Sequence, residues 1–226
     1  MEIIFTTAYL VLIAFSGAML ATGGNLLFVF FSLALAHTFL ILAAYSANAP
    51  YAHIGAEREL LSVMILEPIL ILFAAGCFLV TGSFDTYHML IQDVPGIICL
   101  PGVFIVFIAV LTLKLRKSPF DISTSHHAHQ ELVKGVTSSL SGRSLAKVEI
   151  AHWYEMMIFL SMILLFFAGY PVLSAVAIIL VFLLEIVIDN IFPRVTWKMT
   201  VKSLWIITLV FGVGNIVVLG ILGGIV

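Results

Sequence analysis

Acidic side chains set inside apolar stretches are the residues of this chain most able to do chemistry. Glu67, Glu155, Glu185 and Asp189 all sit within or close to such stretches. A carboxylate in the middle of a bilayer-spanning helix costs about 2.5–3.5 kcal/mol on insertion scales, so it is expected to face the interior of a bundle or a hydrated cavity. Glu185 and Asp189 are four apart and share a helix face. Glu149, His152 and Glu155 recur at a three-residue spacing, which keeps them roughly on one side. Glu67 precedes Pro68, whose ring removes one backbone hydrogen bond and can kink the helix. Such acids suit a proton path or a field-sensing relay. They equally suit static pairing with Arg58, Arg194 or another base near a helix end. Asp189 lies near the interface, where solvation suffices. His37, alone in an apolar stretch, reads as a hydrogen-bonded packing residue, and His53 and His88 read as loop residues.

A second polar feature is the stretch KSPFDISTSHHAHQELVKG at 117–135. His126, His127 and His129 invite a metal reading, but a tetrahedral site wants four ligands and no full set is apparent. HExxH and CxxC are both absent. Imidazoles titrate near neutrality, so these three could respond to pH or carry protons. The plainest role for the stretch is a hydrated surface that docks a soluble partner. Asp121, just after Pro119-Phe120, and Glu131 ten residues on place two acids close to the membrane, as the lip or floor of a cavity would require.

The elements that must position these groups are membrane helices. Apolar residues make up 62% of the chain and charged ones 10%, with a mean hydropathy of +1.22. Soluble domains are near half apolar and a quarter charged, so the composition is that of an integral membrane protein. A net charge of −2 makes no case for nucleic acid. Cys77 and Cys99 fall in apolar segments without ligand spacing and read as packing residues. The N-terminus lacks a basic region and a cleavage site, and reads as a retained helix.

With roughly 20 apolar residues needed per crossing, seven spans are expected, at about 3–21, 26–48, 60–81, 95–115, 152–170, 172–190 and 203–225. The fold class is therefore an all-α integral membrane protein, a single transmembrane domain over 1–226 with a long loop at about 116–151 between spans four and five. Helix-ending residues separate the spans, among them Gly82-Ser83, Pro95-Gly96 and Gly169-Tyr170-Pro171. All ten basic residues fall before span three, between spans four and five, or between spans six and seven. The positive-inside rule makes that side cytoplasmic, with the N-terminus inside and the C-terminus outside.

Three blocks in order carry a family resemblance. GAEREL followed by Glu67 is similar to an Arg-to-Glu spacing at the start of a transmembrane helix. PFDI…ELVKG…LSG, from Pro119 to Gly142, is similar to a PFD…E-L-x-x-G…Y-S-G loop, with Leu140 in place of the aromatic. FPRVTWKMTVKSLW, from Phe192 to Trp205, is similar to an L-P-R block before the last helix. Together they resemble the membrane subunit that carries the quinone chamber of respiratory complex I and its homologues in energy-converting [NiFe]-hydrogenases. The stretch Ser123-Thr124-Ser125-His126-His127, with about three extra residues before Glu131, looks like the Ech-type hydrogenase version. His152 stands where the complex I pattern has a Glu. The family usually has eight helices, and its first helix and following amphipathic segment have no counterpart before Met1. That part is expected on another chain, upstream of a late-set start, or nowhere, in which case one cavity wall comes from elsewhere.

The resemblance implies a subunit without a redox centre of its own, in a prokaryotic plasma membrane. It implies partners: [NiFe]-hydrogenase large and small subunits that contain the [NiFe] centre and iron–sulfur clusters, a ferredoxin-like iron–sulfur subunit and an antiporter-like membrane subunit. It implies a proton path through Glu67, Glu155 and Glu185. Arg58, Asp121, Glu131, His126, His127, His129 and Arg194 would form the coupling loop and the cavity mouth. Electron transfer between ferredoxin and protons would then drive H⁺ or Na⁺ translocation. Competing readings are a quinone-site subunit of a dehydrogenase, a stand-alone ion transporter and a passive anchor. A transporter often shows internal repeats, and none is convincing here.

Overall fold

A computed structural model describes residues 1–47, 49–92, 94–115, 135–193 and 195–221. Ten α-helices are described: α1 (Glu2–Ala21), α2 (Leu26–Tyr45), α3 (Pro50–Thr81), α4 (Thr86–Leu90), α5 (Gly96–Cys99), α6 (Pro101–Lys114), α7 (Gly142–Phe166), α8 (Pro171–Ile191), α9 (Trp197–Ile207) and α10 (Gly214–Ile221). A 3₁₀ turn (Gly135–Thr137) precedes α7, and a π-helical segment (Thr208–Val213) joins α9 to α10. No strand occurs among the described residues; an isolated bridge between Asn25 and Asp85 ties the α1–α2 turn to the turn before α4.

Among the described residues, six helical segments are long and apolar enough to cross a membrane: Glu2–Ala21, Leu26–Tyr45, Pro50–Thr81, Gly142–Phe166, Pro171–Ile191 and Lys198–Ile221. The all-α membrane fold expected from composition is present. The fourth expected span, about 95–115, differs in form. It is divided at Leu100 into the four-residue α5 and the shorter apolar helix α6. Pro101 at the start of α6 lacks the N–H that would continue the ladder, and its ring disfavours helical backbone at the residue before it.

Two helices start earlier than apolar counting indicates. α3 begins at Pro50 rather than near 60, and α7 at Gly142 rather than near 152. Glu, Arg, Leu and Lys are good helix formers irrespective of hydropathy, and Pro suits a first helical turn. Arg58 is therefore a helix residue, not a loop residue, and 142–151 belongs to α7. α3 runs without interruption through Pro68.

α1 packs on α2 and α7, and α2 packs on α3. Phe73 sits at the centre of the core, its ring centroid 5.1 Å from that of Phe166, 5.5 Å from Phe107 and 6.0 Å from Phe30. Phe28, Phe31, Ile179 and Leu180 are exposed on α2 and α8, as befits faces that meet lipid or another subunit. Two glycines permit backbone contact that no other residue would allow. A Cβ on Gly55 would overlap the backbone of Gly135 and Val136, so the 3₁₀ turn rests directly on α3. A Cβ on Gly102 would overlap the Phe211 carbonyl, so the π-helical segment lies directly on the start of α6.

That second contact repairs the broken span. Gly102 and Val103 N–H groups donate to Asn215 Oδ1 at 3.0 and 3.3 Å, and Asn215 Nδ2 donates to the Cys99 carbonyl at 3.1 Å. Backbone groups freed by the break thus find partners without water, which the membrane interior demands.

A buried acid–base cluster at the end of the sixth helix

Five helices converge on one polar cluster. Tyr9 comes from α1, His37 from α2, Glu59 from α3, Lys114 from the last residue of α6 and Glu155 from α7. At 1.5 Å of rise per residue, Tyr9, His37 and Glu59 lie roughly 10–14 Å from the helix ends at Glu2, Tyr45 and Pro50. His37 is 3% exposed, Glu59 6% and Glu155 5%. Lys114 reaches this depth because α6 stops there, and an ammonium is favoured at a helix C-terminus by the unpaired carbonyls.

The contacts are short. His37 Nδ1 lies 3.3 Å from Glu59 Oε1, and His37 Nε2 lies 2.8 Å from Glu155 Oε1. Lys114 Nζ donates to Glu155 Oε1 at 2.6 Å and lies 2.7 Å from His37 Nε2. Tyr9 OH donates to Glu155 Oε2 at 3.4 Å. The Lys114 ammonium also stands 5.4 Å from the Phe159 ring centroid, and the His152 ring meets Tyr9 edge-on at 5.9 Å. Ionised groups at this depth persist only when they are paired.

A second buried acid hangs on the same helix end. Glu185 of α8 is 1% exposed, and Thr112 Oγ1 of α6 donates to its Oε1 at 3.2 Å. Thr112 and Lys114 are two residues apart and point to different sides of α6. The last turn of α6 thus contacts Glu155 on one side and Glu185 on another.

The other sequence candidates are placed differently. Glu67 does not point into the bundle: it is exposed, lining a shallow crevice with Leu27, Phe30 and Phe31 of α2. Two turns of helix separate it from Glu59, and it is exposed where Glu59 is buried. Arg58 is exposed, Glu149 is exposed and Asp189 is half-buried. Asp121, Glu131, His126, His127, His129 and Arg194 lie outside the described residues. Among the described residues no group of three or more His, Cys, Asp or Glu is arranged to hold a metal ion.

Four cluster members escape sequence reasoning, Tyr9 among them as one more aromatic of an apolar run. The sequence marks His37 as a packing residue; it lies instead between two carboxylates, 2.8 Å from Glu155 and 3.3 Å from Glu59. Lys114 stands out along the chain only as a base at the end of a span, and Glu59 is inconspicuous between Arg58 and Leu60. A usable signal exists nonetheless: two acids buried in a membrane need a base at the same depth, and His37 and Lys114 are the bases whose helices reach it.

Comparison with known proteins fits this architecture. An NADH-quinone oxidoreductase subunit of Dehalococcoides mccartyi (strain CBDB1) is 25% identical over 188 residues, 79% of this chain and 52% of that protein. Hydrogenase-4 component C of Escherichia coli (strain K12) is 32% identical over 142 residues, 59% of this chain and 41% of its own length. Formate hydrogenlyase subunit 4 of the same strain is 31% identical over 135 residues, 56% of this chain and 41% of the relative. The chain thus spans about half the length, or less, of these curated relatives. In fold it matches a chain of the membrane-bound sulfane sulfur reductase, an archaeal respiratory membrane complex, with a TM-score of 0.74 and 24% identity, covering 92% of this chain and 79% of that one. The family model described as NADH dehydrogenase matches residues 1–220, and the chain belongs to that family of complex I-like membrane proteins.

Proposed function

We propose that this chain is the non-redox membrane subunit of an energy-converting hydrogenase. It anchors a soluble [NiFe] and iron–sulfur arm and couples ferredoxin–hydrogen electron transfer to H⁺ or Na⁺ movement through its buried acids. The [NiFe] centre and the clusters belong to partner subunits in this reading, beside an antiporter-like membrane subunit. The basic residues face the cytoplasm, with the N-terminus inside and the C-terminus outside.

One observation carries the reading: the described residues that flank the segment 116–134 lie in the buried cluster on one side and about one helical turn from it on the other. Its leading end follows Lys114, which binds Glu155. The first described residue after it, Gly135, is seated on α3 at Gly55, about one helical turn from Glu59. A force applied to this segment by a docked arm reaches two cluster helices directly. Asp121 and Glu131 are assigned to the docking surface, with His126, His127, His129, Arg58 and Arg194 at the mouth. Glu155 and Glu185 are assigned to the ion path, and Glu67 to the point where that path meets a neighbouring subunit. Hydrogenase-4 component C and formate hydrogenlyase subunit 4 are the relatives whose names favour this branch.

The test is gentle purification of the native complex, with mass spectrometry of the co-purifying chains and a hydrogen-uptake assay. A [NiFe] large subunit with iron–sulfur and antiporter-like subunits supports the reading. Asp121→Ala or Glu131→Ala should then uncouple ion pumping or release the soluble arm. If both variants pump and assemble normally, the coupling role is wrong.

A quinone-site subunit is the second reading, favoured by the NADH-quinone oxidoreductase relatives. An apolar cavity of about 500 Å³ between α1 and α7, lined by Gly17, Ala18, Tyr154 and Ile158, has room for a lipid-like tail. Bound quinone and a dehydrogenase module in the purified complex would select this reading.

A further inference from the structure

Three atoms meet at one point in the cluster. His37 Nε2, Lys114 Nζ and Glu155 Oε1 lie within 2.6 to 2.8 Å of one another. An imidazole nitrogen either accepts a hydrogen bond or donates one. Nε2 therefore serves Lys114 or Glu155, and not both at once. When His37 is neutral with its proton on Nδ1, toward Glu59, the Nε2 lone pair accepts from the ammonium. When His37 is an imidazolium, Nε2–H donates to Glu155 and opposes the ammonium, donor against donor.

We infer that His37 and Lys114 form a proton latch in which a proton on Nε2 and the Lys114 ammonium exclude each other. The inference rests on the proposed coupling function and names the ion at this site: a proton. In the step, the Lys114 N–H···Nε2 bond and the Lys114–Glu155 Oε1 ion pair both break as Lys114 withdraws. A proton from the aqueous side bonds to Nε2, and the new N–H turns to Glu155 Oε1. The reverse movement returns the ammonium and expels the proton. No electron moves. One positive charge replaces another beside two carboxylates, so the exchange occurs at constant site charge.

The groups facing the latch are Tyr9 of α1, Glu59 of α3, and Glu155 and His152 of α7, with Phe159 beneath the ammonium. Tyr9 OH donates to the Oε2 atom of Glu155, which leaves Oε1 to the two competitors. Lys114 is well placed to move because it is the last residue of its helix, whereas His37 is held within α2. His37 is the proton carrier and Lys114 the positioning residue.

The experiment uses the intact complex in sealed vesicles, driven by reduced ferredoxin. It reads protons moved per electron and, on histidine-isotope-labelled complex, the infrared signature of imidazolium formation during turnover. Lys114→Met and His37→Gln are compared with wild type, each checked for subunit content. The expected result is a histidine protonation signal in wild type that both variants lose, with protons per electron down by about tenfold or more. Lys114→Arg, which keeps a cation, should retain part of both signals. Wild-type pumping without a histidine signal, or equal pumping by either variant, overturns the latch and leaves the coupling function standing. Electron transfer in wild type that moves no ion overturns the coupling function itself. Should one variant fail to assemble, the other and the wild-type infrared signal still decide the matter.

Discussion

Lys114 and Glu155, 41 residues apart in sequence and on different helices, meet at 2.6 Å inside the bundle. This contact joins the end of the broken fourth span to the middle of α7, and the imidazole of His37 lies against it. A pair at such depth is a point where stability and ion chemistry depend on the same atoms.

Removing either partner of that pair should be costly: without Glu155 the Lys114 ammonium loses its carboxylate, and without Lys114 only the His37 imidazolium is left to pair Glu155. Glu155→Leu is expected to destabilise the detergent-solubilised protein by roughly 3–5 kcal/mol, and Lys114→Met by less, since the His37 imidazolium still pairs Glu155. The double variant should cost clearly less than the sum of the two, since neither charge is then stranded. Thermal unfolding of the four proteins of this double-mutant cycle measures the difference. Strict additivity would mean that the two groups do not depend on each other.

At Gly55 the expectation is steric. A Cβ there has no room beside Gly135 and Val136, so Gly55→Val must push the 3₁₀ turn away from α3 at a cost of about 1–3 kcal/mol. The proteolysis rate of the 116–134 segment should rise, and coupled transport should fall although no ionisable group has changed. Unchanged proteolysis and transport would show that the seat of the turn on α3 is not required.

Asn215 tests the repair of the broken span. Asn215→Leu leaves two N–H donors and one carbonyl without the partners they now have, at about 1–3 kcal/mol for each group that finds no other. Asn215→Asp keeps the acceptor but loses the donor to Cys99 and sets a carboxylate within a spanning helix, so its melting temperature should fall at least as far as that of the leucine variant. Equal stability of all three would mean that the break is held by packing alone.

Glu67 and Glu155 should differ in what neutralisation does to stability. Glu67 is exposed on this chain whereas Glu155 is buried in contact with a lysine. Glu67→Gln is expected to change the stability of the isolated subunit by less than about 0.5 kcal/mol, yet to lower ion transport by the assembled complex. Glu155→Gln should reduce both. Transport by the Glu67→Gln complex at the wild-type level would remove Glu67 from the path.

Much of this architecture is legible along the chain, because a bilayer imposes a local rule. A run of apolar residues long enough to cross must be a helix, since only a helix satisfies its own backbone there. That rule places six of the seven expected spans and the breaks at Gly82 and Pro171. It misjudges the starts of α3 and α7, where charged residues such as Arg58 and Glu149 continue a helix that hydropathy alone ends. Which acid meets which base is a different kind of fact. Tyr9, His37, Glu59, Lys114 and Glu155 come together because five helices pack at particular rotations and depths, and a rotation of half a turn would take any of them out of the cluster. The same holds for Glu67, whose outward face follows from how α3 lies against α2, and for Asn215, which fills a break more than a hundred residues away. Local hydrophobicity determined what crosses the membrane; only long-range packing decided which charges share a site.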